Sequence, residues 1–125
     1  MKPYCEIVSQ ELLPALRALI AKRLIEKYEL TQENAARKLG LTQSAISQYK
    51  REIRGKKVKI LEKDEIVDRK IEEFVDRIAS DELKDPIKLL NAFCEICKLI
   101  RKRGLLCELH LISFPRLKGC KICFE

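Results

Sequence analysis

Two threonines and one glycine divide the stretch LTQENAARKLGLTQSAISQYKREIRG, and they constrain the fold more than any other feature of the chain. Thr31 and Thr42 are each placed to begin a helix, because a Thr hydroxyl accepts a hydrogen bond from a free backbone N–H there. Gly40 lies where a left-handed residue would end the first helix. The pattern predicts short helices from Gln32 to Leu39 and from Gln43 to about Ile53. Two such helices joined by a tight turn form a helix-turn-helix.

The apolar residues of this stretch fit the angle between two helices. Ala35 and Ala36 are small enough for the helices to approach closely. Leu39, Leu41 and Ile46 are spaced to fill the space between them.

Three further helices are predicted from apolar periodicity and helix-end residues. One runs from Pro14 to Tyr28, and a second from Asp64 to Ser80. A third begins at Pro86 after the cap Asp85 and extends to about Arg103, before Gly104. The chain is therefore expected to be all-α.

The helix from Asp64 to Ser80 carries a heptad-like row of apolar residues: Val67, Ile71, Phe74 and Ile78. The row is about two heptads long, so it fits packing on its own chain as well as a dimer coiled coil. The preceding segment RGKKVKILEK has a short β-like centre and is interpreted as a linker or a small wing. We expect a DNA-binding domain at 1–60, a connecting and dimerising helix at 61–85, and a cysteine-rich metal-binding module at 86–125.

Positive charge is concentrated in the half of the chain that holds the two short helices. The first 62 residues carry 13 Lys and Arg against seven Asp and Glu, and the remaining 63 carry 13 against 12. A local cationic excess attracts polyanions, of which nucleic acid is the usual one, although a solvated basic face has the same composition.

The second helix of a helix-turn-helix lies in the DNA major groove, with its first residues at the base edges. Gln binds adenine bidentately, and Ser hydrogen-bonds bases less selectively. Lys50 and Arg51 lie further along and suit phosphate, as does Gln32 at the start of the preceding helix. The candidate DNA-binding residues are Gln32, Thr42, Gln43, Ser44, Ser47, Gln48, Lys50 and Arg51.

The stretch LTQENAARKLGLTQSAISQYKR resembles the Cro and lambda-repressor class of helix-turn-helix, also called XRE-type, over residues 29–55. The opening CEIVSQELLPALRALIAKRL, the segment TQSAISQY and the cysteine-rich end also resemble a group of archaeal predicted transcriptional regulators. These resemblances imply binding to double-stranded DNA and dimerisation as a homodimer.

Five of the six cysteines and the single histidine lie in the last quarter of the chain. Cys94 and Cys97 are separated by two residues, and so are Cys107 and His110, and Cys120 and Cys123; nine residues separate successive pairs. If the first pair lies on a helix, its thiols share one face and can bind one metal ion or cluster edge. The candidate metal ligands are Cys94, Cys97, Cys107, Cys120 and Cys123.

Four interpretations of these cysteines compete. An iron–sulfur cluster takes thiolates at varied spacing, and five thiols exceed the need of one zinc ion. A structural zinc would use Cys94, Cys97, Cys120 and Cys123, although the central gap of 22 residues is longer than usual. A disulfide switch at the last pair is the third interpretation, and buried cysteines without a ligand are the fourth. His110 is not needed as a ligand, and Cys5 is expected to be a small core residue.

Enzymatic function finds little support in the sequence. The single histidine allows no Ser, His and Asp arrangement, and no glycine-rich phosphate loop is present. A thiol oxidoreductase or metal carrier using CKIC is the enzyme or carrier alternative, but no βαβ pattern surrounds that motif. No apolar run is long enough to cross a membrane, and the start has no signal-peptide pattern, so a cytoplasmic location is expected.

Overall fold

The computed structural model describes residues 4–52 and 56–108, and every regular element in these residues is helical. The predicted all-α class is therefore confirmed. The elements are α1 (Tyr4–Ile7), a π-helical segment (Val8–Leu12), α2 (Leu13–Tyr28), α3 (Gln32–Leu39), α4 (Gln43–Glu52), α5 (Lys56–Lys63), α6 (Glu65–Ala79) and α7 (Pro86–Lys102). Residues 105–108 are helical as well.

The first helix is longer than predicted, because α1, the π-helical segment and α2 follow one another without a break from residue 4 to residue 28. Pro14 occupies the first turn of α2, directly after the π-helical segment. A proline cannot donate the backbone hydrogen bond expected inside a helix, and a local wider turn is one way for a helix to continue past it.

The predicted ends of α3 and α4 are confirmed. Thr31 Oγ1 accepts a hydrogen bond of 3.1 Å from the Asn34 amide, and Thr42 Oγ1 accepts one of 3.1 Å from the Ala45 amide. Gly40 ends α3 in the left-handed conformation, with φ at 68°. These contacts satisfy backbone groups that a helix end otherwise leaves unpaired.

The prediction of a linker or small wing in the segment RGKKVKILEK is wrong, because residues 56–63 form the helix α5. Val58 and Leu61 are fully buried against α2 and α6. Val58 and Ile60 alternate as in a strand, but the three-residue step from Val58 to Leu61 is the one that the core uses. Tertiary packing therefore decided between two periodicities that an eight-residue segment cannot distinguish.

One large apolar core joins α2, α5, α6 and α7. Leu16, Leu19, Ile20 and Leu24 of α2 are buried, as are Val67, Ile71, Phe74 and Ile78 of α6, and Ile96 and Ile100 of α7. Full burial of one such side chain contributes about 1.5–3 kcal/mol to the stability of the fold. The heptad-like row of α6 is thus packed on its own chain. The predicted division into residues 1–60, 61–85 and 86–125 stays a prediction.

The two long C-terminal helices are fixed to each other at their ends. Asp64 caps α6 by accepting hydrogen bonds from the Ile66 and Val67 amides, and it also accepts one of 2.9 Å from Arg103 Nε. The Asp85 carboxylate caps α7 through the Ile87 amide at 2.9 Å, as predicted. None of the helices formed by the described residues is both long and apolar enough to span a bilayer.

Candidate nucleic-acid interface

A small second core holds the helix-turn-helix on α2. Ala21 of α2, Ala36 of α3 and Ile46 of α4 are buried together. Leu39 and Leu41 are partly buried against the same cluster. The predicted filling of the angle between the helices is confirmed, and it directs one face of α4 inward and the other outward.

The outward face of α4 is polar from its first residue. Gln43, Ser44, Ser47 and Gln48 are exposed, and so is the cap Thr42. At 100° per residue, the four helical residues span an arc of about 140° around the helix axis, so they form one continuous face. We call these four residues the α4 polar face. It is the geometry that base contacts require, while the role of each residue stays a prediction.

One hydrogen bond joins the α4 polar face to α3. Ser47 Oγ donates to Gln32 Oε1 at 2.9 Å, across 15 residues of sequence. Gln32 and Ser47 were predicted to be separate DNA contacts, and the structure brings them together. With Oε1 occupied, the amide nitrogen of Gln32 keeps N–H groups that suit a phosphate oxygen. No spacing rule in the sequence indicates this pair.

The structure places the backbones of Lys50 and Arg51 near the C-terminal end of α4, beyond the polar face. Their predicted phosphate contacts stay predictions.

Two cations near the helix-turn-helix are neutralised within the chain. Lys38 Nζ lies 2.6 Å from Asp81 Oδ1, and Lys57 pairs with Glu11. Arg37, by contrast, is about three-quarters exposed, and Glu33 is 4.0 Å away. The cationic excess counted in the sequence is therefore only partly available to a polyanion, and Arg37 is a phosphate-contact candidate that the sequence analysis did not single out.

A network of ion pairs fixes α2, the helix that supports the interface, to α6. Lys27 Nζ lies 2.7 Å from both Glu72 Oε2 and Asp76 Oδ1, and Tyr28 also donates to Asp76. The hydrogen bonds from Lys27 and Tyr28 hold the pKa of Asp76 below its ordinary value. Arg23 joins the network through Asp68 and Glu72. The supporting helix is thus held by charge as well as by its apolar face.

Two candidate metal ligands share one face of α7. Cys94 is exposed and Cys97 is half-buried, one turn further along. Burial raises the pKa of the Cys97 thiol to about 11, with a further increase from Cys94 and a decrease from Arg17. Cys107 is half-buried against the main core. Cys5 is exposed on α1, so its predicted place in the core is wrong.

The described residues supply a pair of thiols and not a complete metal site. Within residues 4–52 and 56–108, no three His, Cys, Asp or Glu side chains lie close enough together to hold a metal ion. The pair Cys94 and Cys97 fits two positions of a thiolate site, and two further ligands are needed. Cys120, Cys123 and His110 lie outside the described residues.

A comparison with known protein families finds a match to the part of the chain that forms the candidate interface. Residues 20–63 match the helix-turn-helix family model. The match begins within α2 and ends with α5, so it covers the end of α2, the helices α3 and α4 with the turn and the polar face, and α5. It supports a DNA-binding transcription regulator of the XRE type. No curated protein and no solved structure matches the chain.

Proposed function

We propose that this chain is a sequence-specific, DNA-binding transcriptional regulator in which α4 lies in the major groove. The observation that carries the proposal is the α4 polar face, which is exposed while the opposite side of α4 is packed on α2 and α3. A helix held in this way presents short hydrogen-bonding side chains to base edges at little cost in backbone freedom.

The residues divide by the DNA groups they suit. Gln43 and Gln48 carry amides that can pair with the N6 and N7 atoms of adenine. Ser44 lies beside Gln43 on the same face and suits a less selective base contact. Gln32, oriented by Ser47, suits a backbone phosphate, as do the cations Lys50 and Arg51.

The DNA-reading role can be tested by selecting the preferred DNA sequence from a random library and measuring its affinity by fluorescence anisotropy. Wild-type protein is expected to select one sequence over the pool. Gln43→Ala should lower that affinity. Gln10→Ala, the matched control, should not, because Gln10 is an exposed glutamine of the π-helical segment. If the wild-type chain selected no sequence, its proposed role as a sequence-specific regulator would be wrong.

For the cysteines, we propose a metal centre held by Cys94 and Cys97 together with Cys120 and Cys123, and with Cys107 as a further thiol. The centre is proposed to be an iron–sulfur cluster, with structural zinc as the alternative. A cluster would supply redox-labile iron–thiolate bonds, whereas a structural zinc would only stabilise the fold. The exposed thiol of Cys94 supports the proposal, because it is accessible to a ligand on the face that it shares with Cys97.

The metal centre can be identified by purifying the protein without oxygen and assaying it for iron, sulfide and zinc. Broad visible absorption with stoichiometric iron and sulfide would establish the cluster, whereas one zinc per colourless chain would establish the alternative. Cys94→Ser should remove the metal, while Cys5→Ser, which changes an exposed cysteine of α1, should retain it. Protein without any metal would reject both forms of the proposal.

Regulation is proposed to act through a homodimer. Two copies of α4 would contact half-sites about one DNA turn apart, so a change in dimer geometry would change operator affinity. Metal-free and metal-loaded protein are therefore expected to differ in operator affinity. Equal affinities would reject the sensing role and leave DNA binding intact.

A further inference from the structure

Arg17 is a partly buried cation of α2 that forms no ion pair within the part of the chain that the structure describes. The residues one turn away from it along α2, in either direction, are uncharged. Arg23 and Lys27, further along the same helix, are paired with carboxylates of α6. A guanidinium is always charged, and its partial withdrawal from water without a partner costs free energy. An anion bound beside Arg17 would therefore be stabilised.

Arg17 lines a hollow that is otherwise apolar, and we call it the Arg17 hollow. It has a volume of about 400 Å³ and lies between α2, the turn after α3, α6 and α7. Phe74 and Phe93 form part of its wall, with their rings tilted at 55° and their centroids 6.1 Å apart, and Leu41 and Leu90 line it as well. Among the described residues of the wall, Arg17 alone carries a charge. Small-molecule sites are mostly apolar with a few polar groups, and their volumes are about 300–1,000 Å³.

We propose that the Arg17 hollow binds a small organic acid, with the carboxylate paired to Arg17 and the apolar body packed against the two phenylalanines. A guanidinium holds a carboxylate through two parallel hydrogen bonds. A single cation matches a single negative charge, so a monocarboxylate fits better than a phosphate group, which carries more charge and would find no second cation in the described wall. An aliphatic and an aromatic acid share this chemistry, and burial of either body adds to the affinity.

The hollow adjoins the connection between the two helices of the helix-turn-helix. Leu39, Gly40 and Leu41 line it. Leu39 and Leu41 also pack on the small second core, which contains Ile46 of α4. A ligand in the hollow would contact residues that set the angle between α3 and α4. Because a ligand shifts a protein towards the arrangement that it binds better, we expect the acid to change operator affinity. This regulatory role rests on the proposed function, whereas binding of the acid does not.

Isothermal titration calorimetry of the full chain with octanoate and with phenylpropanoate tests the site. At least one of these acids should bind with a dissociation constant of about 0.1–1 mM, and the tighter of the two identifies the body as aliphatic or aromatic. The alcohol with the same carbon skeleton should bind at least about tenfold more weakly, because it offers no charge to the guanidinium. Absence of binding by both acids, or equal binding of acid and alcohol, would overturn the inference.

Substitution of Arg17 tests the proposed ion pair. Arg17→Gln should raise the dissociation constant of the acid at least about tenfold, and Arg17→Lys, which keeps the charge, should raise it less. Arg69→Gln is the control, because Arg69 is an exposed arginine of α6 that does not line the hollow. Unchanged affinity in Arg17→Gln would overturn the inference, and the cation would then serve the neighbouring Cys97 thiol instead.

A matched pair of substitutions on α7 tests whether the acid lies in the hollow. Leu90 is 63% exposed and lines it, whereas Ile87 is 77% exposed on the same helix and does not. Leu90→Asp places a carboxylate beside the bound acid and should weaken binding about fivefold or more through repulsion. Ile87→Asp adds the same charge outside the hollow and should change binding less than about twofold. Both positions are exposed, so both variants should fold. Equal effects of the two substitutions would overturn the inference.

Backbone amide NMR signals separate binding of the acid from the DNA role. The signals of Gly40 and Leu41 should shift when the acid saturates the protein, whereas those of α5, which does not line the hollow, should not. Operator affinity should then change at least about threefold in the wild type and not in Arg17→Gln. A shifted Gly40 signal with unchanged operator affinity would overturn the regulatory role. A shifted Gly40 signal in a chain that selects no operator would reject the proposed DNA role and leave the acid site standing.

Discussion

Ser47 of α4 donates a 2.9 Å hydrogen bond to the side-chain oxygen of Gln32 in α3. Ser47 is exposed and Gln32 is partly exposed, so the bond lies at the surface where α3 and α4 meet. It fixes the orientation of the Gln32 amide before any DNA arrives. Orientation in the free protein reduces the ordering cost of binding, so this bond is expected to contribute to affinity without touching a base.

We expect Ser47→Ala to weaken binding of the selected operator by about three- to tenfold, which corresponds to the net value of one such hydrogen bond. The free energy of unfolding should change little, because Ser47 is exposed. Anisotropy titrations measure the first effect and urea unfolding the second. Ser80→Ala is the control, since the Ser80 hydroxyl donates to the Arg77 carbonyl at the end of its own helix and lies outside α3 and α4. Unchanged affinity of Ser47→Ala would show that the Gln32 orientation is not used.

The two glutamines of the α4 polar face should each contribute to base preference. Gln43→Ala and Gln48→Ala are each expected to cost about 1–3 kcal/mol of operator binding and to relax preference at one position of the site. Binding to unrelated DNA should be nearly unaffected, because phosphate contacts supply most of it. A repeated sequence selection with each variant measures the change. Selection profiles identical to that of the wild type would mean that another element enters the groove.

Local signals in the sequence were sufficient for most of the helices. Thr31, Gly40 and Thr42 act within four residues of themselves, and each end of α3 and the start of α4 lie where these residues predicted. The α5 helix was missed because Val58 and Ile60 also fit a strand, and only contact with α2 and α6 resolves that ambiguity. Contacts between residues that lie far apart in sequence have no comparable local sequence pattern that predicts them.

The same distinction applies to the candidate site. Exposure of the α4 polar face follows from helical periodicity once the helix is placed, so the sequence predicted it well. The bond from Ser47 to Gln32 and the pairing of Lys38 with Asp81 depend on how separate helices meet. Charge counting consequently overstated the cations that are available for DNA.

Loss of a buried side chain from the α6 row should destabilise the fold. Ile71 is fully buried, and Ile71→Ala is expected to lower the free energy of unfolding by about 2–5 kcal/mol through lost burial and a cavity. Ile66→Ala, on the exposed side of the same helix, should cost less than about 0.5 kcal/mol. Urea unfolding at one protein concentration compares the two. Equal costs would contradict the orientation of α6 described above.

Gly40 should be required for its backbone conformation and not for space. Its φ is 68°, and an added Cβ would meet no atom within 4 Å. Gly40→Ala is therefore expected to cost about 1–2 kcal/mol from the left-handed conformation alone. Gly40→Asn should cost less, because Asn adopts this conformation more readily. Urea unfolding orders the three proteins, and an Asn variant less stable than the Ala variant would indicate a steric cause instead.

Acid should weaken the attachment of α2 to α6. Hydrogen bonds from Lys27, and then from Tyr28, lower the folded-state pKa of Asp76 below the ordinary value of about 3.9. A carboxyl group with a lowered pKa stabilises the fold at pH values above its unfolded pKa. That contribution is lost as the pH falls through the folded-state pKa.

Asp76→Asn should therefore have a lower thermal midpoint than the wild type at neutral pH, and the difference should shrink as the pH falls below about 4. Thermal unfolding followed by circular dichroism between about pH 2 and pH 7 measures both curves. Glu26→Gln is the control, because Glu26 is an exposed carboxylate of α2 outside the ion-pair network described above. A difference between Asp76→Asn and the wild type that stayed constant down to the lowest pH would show that the side chain acts by packing and not by charge.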